Sequence, residues 1–303
     1  MIILGSGCSY THMPKAWGDK TQKSWLWHLE DIGYEVYNYS QGSGGNQLST
    51  RALIYATEKY HKNKDIMVIR QISGIARSAF LVEDGDSLYF QNDKYDWMLE
   101  QDKNFPNDDD TRYSHQTSRY GIANFSTGSW GEKTEKTYWR KIHPMNVNDS
   151  QQYNMEKVYY EHFGTYLHMV YETLESMLYL QTYCDSRNIP HLQFFGWDVF
   201  ADNGWRLDYE NYLEYDDCKV LVNAIDWNKV ITYNYDFGWV WKGKHDKQMM
   251  KCGGIHEYAL SELDEEDWFY EEKDYESRFG HPHSNAHKSF AKNILSKKIK
   301  ELY

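Results

Sequence analysis

Short apolar runs alternate with helix-like segments over residues 1–72, and this alternation constrains the fold more than any other feature of the chain. The third run is apolar at four consecutive positions, from Ile66 to Ile69, as is typical of a strand covered on both faces. Strands that alternate with helices are joined by right-handed crossovers and lie parallel. The sequence therefore predicts an α/β fold with a parallel sheet, whose first strands and helices occupy residues 1–5, 24–32, 34–39, 47–61 and 65–72.

The alternation of strands and helices ends near residue 80 and resumes only in part. Residues 80–90 are predicted to form a hairpin that turns at Asp84-Gly85-Asp86, and the polar and aromatic remainder up to about residue 150 is predicted to be an irregular insertion. A long helix is predicted over 151–188, because Val158, Phe163 and further apolar side chains recur there at spacings of three to five residues. The rest of a single domain spanning 1–303 is a strand at 191–197, a second irregular insertion over about 199–275 and a last helix at 284–302.

The composition is that of a soluble globular protein and excludes two classes of partner. Hydrophobic residues make up 41% of the 303 residues, and charged residues make up 26%. The net charge is −12 and the sequence contains no long basic stripe, so nucleic-acid binding is not expected. No apolar run approaches the roughly 20 residues that a membrane span requires, so no membrane partner is expected either.

The cysteines and the amino terminus favour a cytoplasmic location. The four cysteines are widely spaced and form no CxxC pair, so the sequence predicts neither a disulfide framework nor a zinc ribbon. The chain begins with a strand pattern and not with a basic segment followed by a long apolar stretch, so no signal peptide is expected.

A serine after the first strand and a histidine before the last helix are the candidate catalytic residues. Ser9 lies in the turn Gly7-Cys8-Ser9-Tyr10-Thr11, directly after the first apolar run. A tight turn at this place exposes the Ser9 hydroxyl and points backbone N–H groups at the position where a carbonyl oxygen would become negative. His281 lies in the segment His281-Pro282-His283, just before the last predicted helix.

This layout resembles the SGNH (GDSL-type) hydrolase family over residues 1–80 and at the carboxyl-terminal end. The block Gly-Cys-Ser-Tyr-Thr is similar to that of phage-encoded members of the family. The resemblance implies a flavodoxin-like three-layer sandwich and a serine esterase that needs neither a metal nor another cofactor. It also implies that the substrate is an O-acyl ester, above all an O-acetyl ester on a carbohydrate. A virion is the alternative location if the chain is phage-encoded, and assembly into a homo-oligomer or a virion is left open.

The glycine-rich turn after the second predicted strand supplies further candidates. In Gly42-Ser43-Gly44-Gly45-Asn46, the resemblance implies that Gly44 donates its backbone N–H to the oxyanion hole. A glycine suits this position because the backbone must approach the substrate without a Cβ. Asn46 is a candidate substrate-binding residue, although Asn46 or Ser43 is alternatively a cap of the following helix.

The family's Gly-x-Asn-Asp motif after the third strand is missing. The chain has Arg70-Gln71-Ile72-Ser73 at this place, where Gln71 or Ser73 is the candidate oxyanion donor at the carboxyl end of the strand. Arg77 follows a few residues later. It is expected either to hold an anionic or hydroxyl group of the substrate or to form a surface ion pair.

The resemblance implies that His281 is the general base that accepts the Ser9 proton. The family's acid, three residues before this histidine, is missing. Arg278 stands at that position. Asp274 or Glu276 is therefore expected to orient the His281 imidazole, and a backbone carbonyl is the alternative, which would leave a Ser-His dyad.

Three other interpretations stay open. His281, His283 and His287 have a spacing that can bind zinc, and otherwise the last two are expected at the start of the helix and on its surface. The Trp- and Tyr-rich insertions are either stacking platforms for sugar rings or packing onto the sheet. A chain without catalysis would be a glycan-binding or structural component of a virion or a cell surface, and the two missing motifs favour this alternative.

Overall fold

The computed structural model describes residues 1–12, 23–40, 45–62, 65–83, 122–123, 137–142, 159, 162–200, 212–234, 251–268 and 281–302. Gly44, Asp274, Glu276 and the predicted turn at 84–86 lie outside the described residues.

The described strands form two separate sheets. Their bounds are β1 Ile2–Ser6, β2 Glu35–Asn38, β3 Ile66–Ile72, β4 Ser78–Glu83, β5 Ile122–Ala123, β6 Thr137–Ile142, β7 His191–Phe195 and β8 Val230–Ile231. Five of them make an all-parallel main sheet in the order β2-β1-β3-β7-β8. The prediction of an α/β fold with a parallel sheet is confirmed, and the strand order is compatible with a flavodoxin-like fold.

Helices cover both faces of the main sheet. Their bounds are α1 Ser9–His12, α2 Trp25–Asp31, α3 Asn46–Tyr60, α4 Tyr166–Asp185, α5 Asp216–Ala224, α6 Ile255–Glu262, α7 Ser284–Phe290 and α8 Ser296–Leu302, with the π-helical segment Ala291–Leu295 joining the last two. Within the described residues, none of these helices combines the length and the apolar composition needed to cross a membrane.

The two faces can be read from successive residues of β1, because side chains of a strand point alternately to opposite sides. Ile3 belongs to a buried cluster with Trp25 of α2 and Phe290 of α7. Leu4 belongs to a different cluster, on the side of α3 and α4, with Leu53 and Leu180. The apolar runs that predicted the first strands are therefore apolar because both of their faces are covered.

The helix predicted over 151–188 is interrupted at residues 163–165, since Tyr159 and His162 are helical and a new helix starts at Tyr166. α4 starts at Tyr166, because Thr165 is its N-cap and accepts a hydrogen bond from the His168 N–H at 3.2 Å. Phe163, which was expected on the apolar face of the helix, precedes this cap and is 64% exposed. Residues 151–158 lie outside the described part of the chain.

The second predicted insertion, at 199–275, is only partly an insertion. Its described residues contribute α5, α6 and the fifth strand of the main sheet, β8, which pairs in parallel with β7. The prediction of an irregular stretch is therefore wrong for 216–224, 230–231 and 255–262. Two apolar residues, Val230 and Ile231, are too few to show the periodicity by which a strand is recognised.

The first predicted insertion contains an antiparallel sheet in the order β4-β6-β5. β4 pairs with β6, from Ser78 opposite Ile142 to Glu83 opposite Thr137. The partner of β4 among the described residues thus lies more than fifty residues along the chain, and not in the predicted hairpin at 80–90.

Candidate active site

The carboxyl ends of β1, β3 and β7 meet at one edge of the main sheet, and the candidate site lies at this edge. Ser9 is the first residue of α1, directly after β1. His281 precedes α7, near the other end of the chain. The Ser9 Oγ atom lies 2.7 Å from His281 Nε2, and both residues are partly exposed. The structure thus brings the candidate catalytic pair, Ser9 and His281, within the distance that direct proton transfer requires.

Gly7 allows the tight turn that presents Ser9. A Cβ at this position would lie 2.5 Å from Thr11 Oγ1 and 2.6 Å from Gln71 Oε1. Any other residue would push apart the turn and β3. The Thr11 hydroxyl is itself fixed, because it accepts a hydrogen bond from Trp25 Nε1 of α2 at 2.8 Å.

The Gln71 side chain of β3 holds the serine turn, which comprises residues 7–11. This side chain is fully buried, and its Oε1 atom accepts hydrogen bonds from the Cys8 backbone N–H at 3.1 Å and from Thr11 Oγ1 at 3.2 Å. Its Nε2 atom donates to the Ile72 carbonyl at 2.6 Å. A backbone N–H only donates, so the amide oxygen faces the turn and the amide nitrogen faces away. The structure therefore gives Gln71 a positioning role and not the predicted role of oxyanion donor.

Asn46 and Ser73 bind each other and stabilise the loop after β3. The Ser73 N–H donates to Asn46 Oδ1 at 2.8 Å, and Asn46 Nδ2 donates to the Ser73 carbonyl at 3.0 Å. Asn46 Nδ2 also donates to Thr173 Oγ1 of α4 at 3.2 Å. Both residues are buried, and the N-cap of α3 is Gly45 and not Asn46. These contacts give Asn46 and Ser73 positioning roles in this loop, and the predicted cap at Asn46 is wrong. Their predicted roles in oxyanion or substrate binding stay predictions.

Arg77 lies over the indole ring of Trp197, with its guanidinium carbon 5.5 Å from the ring centroid. Its Nη1 atom donates to the Ser73 hydroxyl at 2.9 Å. The indole in turn contacts the Tyr10 ring, and Tyr10 contacts the His281 ring, with centroids 5.2 Å apart in both pairs. A continuous row of side chains thus connects Arg77 with the candidate catalytic pair.

His281 is held in a neutral state. Burial of the ring, and to a lesser degree the positive charge of Arg77, lower its pKa to about 4. A neutral imidazole whose Nε2 accepts the Ser9 proton carries its own proton on Nδ1. Among the described residues, Arg77 is the one charged side chain that shifts this pKa. Asp274 and Glu276, the two acids predicted to orient the His281 ring, lie outside the described residues. Gly44 lies outside them as well.

The described contacts of the three histidines of the zinc interpretation are not those of metal ligands. His283 is the N-cap of α7, and its Nδ1 accepts a hydrogen bond from the Asn285 N–H at 3.2 Å. His287, which was expected on the helix surface, is fully buried. Within the described part of the chain, no three His, Cys, Asp or Glu side chains are grouped as metal ligands.

Two aromatic residues of the site were missed. Tyr10 follows Ser9 directly, and Trp197 follows β7 at the same sheet edge as the serine turn. Ligands of open parallel sheets bind at the carboxyl ends of the strands. Trp197 could have been predicted from its position just after β7, in the same way as the residues after β3.

A scan against protein-family models finds no match to this chain, and a search of curated protein sequences finds none either.

Proposed function

We propose that the protein is a serine ester hydrolase of the SGNH type that removes an O-acyl group, above all acetyl, from a carbohydrate. The observation that carries the proposal is the 2.7 Å contact between Ser9 Oγ and His281 Nε2, made by residues 272 positions apart in the sequence. A hydroxyl paired with a neutral imidazole is the minimal arrangement for nucleophilic acyl transfer.

The proposed reaction has two halves. In the first, Ser9 Oγ attacks the acyl carbon while His281 Nε2 accepts the hydroxyl proton. The ester C–O bond then breaks, the alcohol leaves with that proton, and an acyl-Ser9 remains. In the second half, His281 takes a proton from water, the resulting hydroxide attacks the acyl carbon, and the proton returns to Ser9 as the acid is released.

The backbone supplies the oxyanion donors in this proposal. The Ser9 N–H belongs to the first turn of α1, where N–H groups have no partner within the helix. The Gly44 N–H is the second donor that the resemblance implies. Gln71 and Ser73 act one step away, by holding the serine turn and Arg77 in place.

Two further observations support the SGNH type and the carbohydrate substrate. The serine follows the first strand and the histidine precedes the last helices, at the edge of a sheet with the order β2-β1-β3-β7-β8. The partly exposed Trp197 ring lies beside the catalytic pair on the buried Tyr10 ring, and an exposed ring of this kind stacks against the apolar C–H faces of sugars.

The test is turnover of p-nitrophenyl acetate by the wild type and by Ser9→Ala and His281→Gln. Both variants are expected to lose at least about a thousandfold in kcat/KM, because each removes one half of a unit that acts together. Ser186→Ala, which changes an exposed serine at the end of α4, is the matched control and is expected to keep the wild-type rate.

A fluorophosphonate label should attach to Ser9 in the wild type and not in Ser9→Ala. Equal esterase rates in wild type and Ser9→Ala, together with no label on the Ser9 peptide, would contradict the esterase. That result would favour the alternative function, a glycan-binding or structural SGNH-fold protein.

A further inference from the structure

Arg77 is a positively charged side chain at the candidate site that has no negatively charged partner within the described residues. Its contacts there are the Ser73 hydroxyl and the Trp197 ring, which are both neutral. Arg187 provides a contrast. It also lies over an aromatic ring, that of Tyr183 at 4.0 Å, but its Nη2 forms an ion pair with Glu58 at 2.8 Å. The surface ion pair that the sequence left open for Arg77 is not found within the described residues.

The position of Arg77 is fixed before any ligand binds. Its backbone carbonyl packs against Gly45 so closely that a Cβ on Gly45 would lie 2.3 Å from the carbonyl oxygen. Its Nη1 is held by Ser73, whose own backbone is bound on both sides by the buried Asn46 amide. The Arg77 guanidinium is held by the Ser73 hydroxyl and by the Trp197 indole. It therefore loses little conformational entropy when it binds an anion, and this favours tight binding.

The charge of Arg77 acts on the catalytic pair. The positive charge is near enough to lower the pKa of His281, in addition to the larger effect of burial. In the proposed reaction His281 becomes an imidazolium, and a neighbouring unpaired cation opposes that change. An anion bound to Arg77 would cancel this opposition at the moment when the substrate is present.

We propose that Arg77 binds a carboxylate of the substrate, so that the natural substrate is an acyl ester on a negatively charged alcohol such as an acidic sugar. This inference rests on the proposed esterase function and names its substrate class. A carboxylate fits because it accepts two parallel N–H donors from one guanidinium. Trp197 and Tyr10 lie in the row between Arg77 and His281, and the partly exposed Trp197 ring then contacts the apolar face of the alcohol while the buried Tyr10 ring supports it.

The experiment compares two esters that differ in charge and hardly in shape, 4-acetoxybenzoate and 4-acetoxybenzamide. Each enzymatic kcat/KM is divided by the rate constant of the uncatalysed hydrolysis in the same buffer, which removes the difference in leaving-group reactivity. The wild type is expected to prefer the benzoate by roughly tenfold or more, since a hydrogen bond to a charged group is stronger than one to a neutral amide. The preference should fall as salt is added, because exposed charges are screened.

The variant that tests the assignment is Arg77→Met, which keeps an unbranched side chain over Trp197 and removes the charge. The preference for benzoate is expected to disappear. Arg77→Lys is expected to keep part of it, since an ammonium retains the charge and loses the two-pronged geometry. Arg187→Met, which removes an arginine from a comparable ring far from Ser9, is the matched control and should keep the full preference. Circular dichroism of each variant establishes that it is folded, and Arg77→Gln replaces Arg77→Met if the latter is not.

The outcomes separate the two proposals. If Ser9-dependent hydrolysis occurs with no preference in the wild type, or with the same preference in Arg77→Met, the carboxylate proposal is wrong and the esterase stands. If neither ester is hydrolysed in a Ser9-dependent manner, the esterase is wrong, and binding of benzoate and benzamide by calorimetry then decides the role of Arg77. Tighter binding of benzoate by the wild type and not by Arg77→Met would support the anion site, and equal binding of both would overturn it.

Discussion

The side-chain oxygen of Gln71 lies 3.1 Å from the backbone nitrogen of Cys8, the residue before Ser9. One amide on β3 therefore fixes the turn in which the nucleophile is presented, through a contact across 63 residues of sequence. The same oxygen also accepts from the Thr11 hydroxyl, so both sides of Ser9 are held by one buried group.

Replacing Gln71 by methionine is the first prediction. The Cys8 N–H would be left buried without an acceptor, and this costs about 1–3 kcal/mol in the free energy of unfolding. Labelling of Ser9 by a fluorophosphonate should slow as well, because the turn loses its support. Urea unfolding and labelling rates measure the two effects. The control is Gln47→Met, which removes a partly buried hydrogen bond to Glu172 away from Ser9 and should leave the labelling rate unchanged. If labelling slows as much in Gln47→Met as in Gln71→Met, the positioning role of Gln71 is contradicted.

The second prediction concerns the pH dependence of the reaction. Burial and Arg77 lower the pKa of His281 to about 4, and the protonated ring cannot accept the Ser9 proton. For p-nitrophenyl acetate, kcat/KM should be flat near neutral pH and should fall on the acid side with a midpoint near the His281 pKa, about 4. In Arg77→Met the midpoint should rise, since one of the two causes of the low pKa is gone.

Initial rates taken just after a pH jump are the measurement, because they precede any slow acid unfolding. Arg187→Met is the control and should keep the wild-type midpoint. A wild-type midpoint near the ordinary histidine value of 6.5 would mean that His281 is not held in the environment described here.

The parts of the fold that could be predicted are those in which the apolar pattern is long. Ile66–Ile72 is fully buried on both faces and was visible as a strand, whereas Val230–Ile231 has the same role in the sheet and was missed because it is two residues long. The interruption before α4 was missed for a different reason. Thr165 caps a new helix that starts at Tyr166, and Phe163 fits the apolar spacing although it precedes this cap and is exposed.

At the candidate site too, some features could be predicted from the sequence and others could not. The pairing of Ser9 with His281 could be predicted because the sequence blocks around both residues resemble those of the SGNH family. The roles of Gln71 and Asn46 could not be predicted, since they depend on which atom of an amide faces which backbone group. Burial of His287 was also missed, because its exposed neighbours on α7, Asn285 and Lys288, make the segment read as a surface helix.

His287 is the subject of the third prediction. The ring is fully buried, neither of its nitrogens has a hydrogen-bond partner within the described residues, and its pKa is lowered to about 3, first by burial and then by neighbouring histidines. The folded pKa lies below the unfolded value of 6.5, so the stability due to this group is fully present above pH 6.5 and is lost as the pH falls toward 3. The loss is about 1.4 kcal/mol for each pH unit over this range.

His287→Leu should remove this dependence. Its free energy of unfolding should exceed that of the wild type by a margin that widens as the pH falls below 6.5, as measured by denaturant unfolding at a series of pH values. Lys288→Ala, an exposed change on the same helix, should run parallel to the wild type. A constant difference between His287→Leu and the wild type would show that the ring is protonated as readily in the folded as in the unfolded chain.

The fourth prediction compares two glycines that are required for different reasons. Gly254 lies against the end of β7, where an added Cβ would meet the Phe195 carbonyl oxygen at 1.7 Å. Since backbone atoms cannot move aside as a flexible side chain can, Gly254→Ala should lower the free energy of unfolding by about 3 kcal/mol or more. Gly33 ends α2 with a φ of +105° and has no atom within 4 Å of the added Cβ among the described residues. Gly33→Ala meets only backbone strain, so its cost should be about 1 kcal/mol. Urea unfolding of both variants measures the two losses in the free energy of unfolding. A loss in Gly254→Ala that is equal to or smaller than that in Gly33→Ala would contradict the close packing of α6 onto the end of β7.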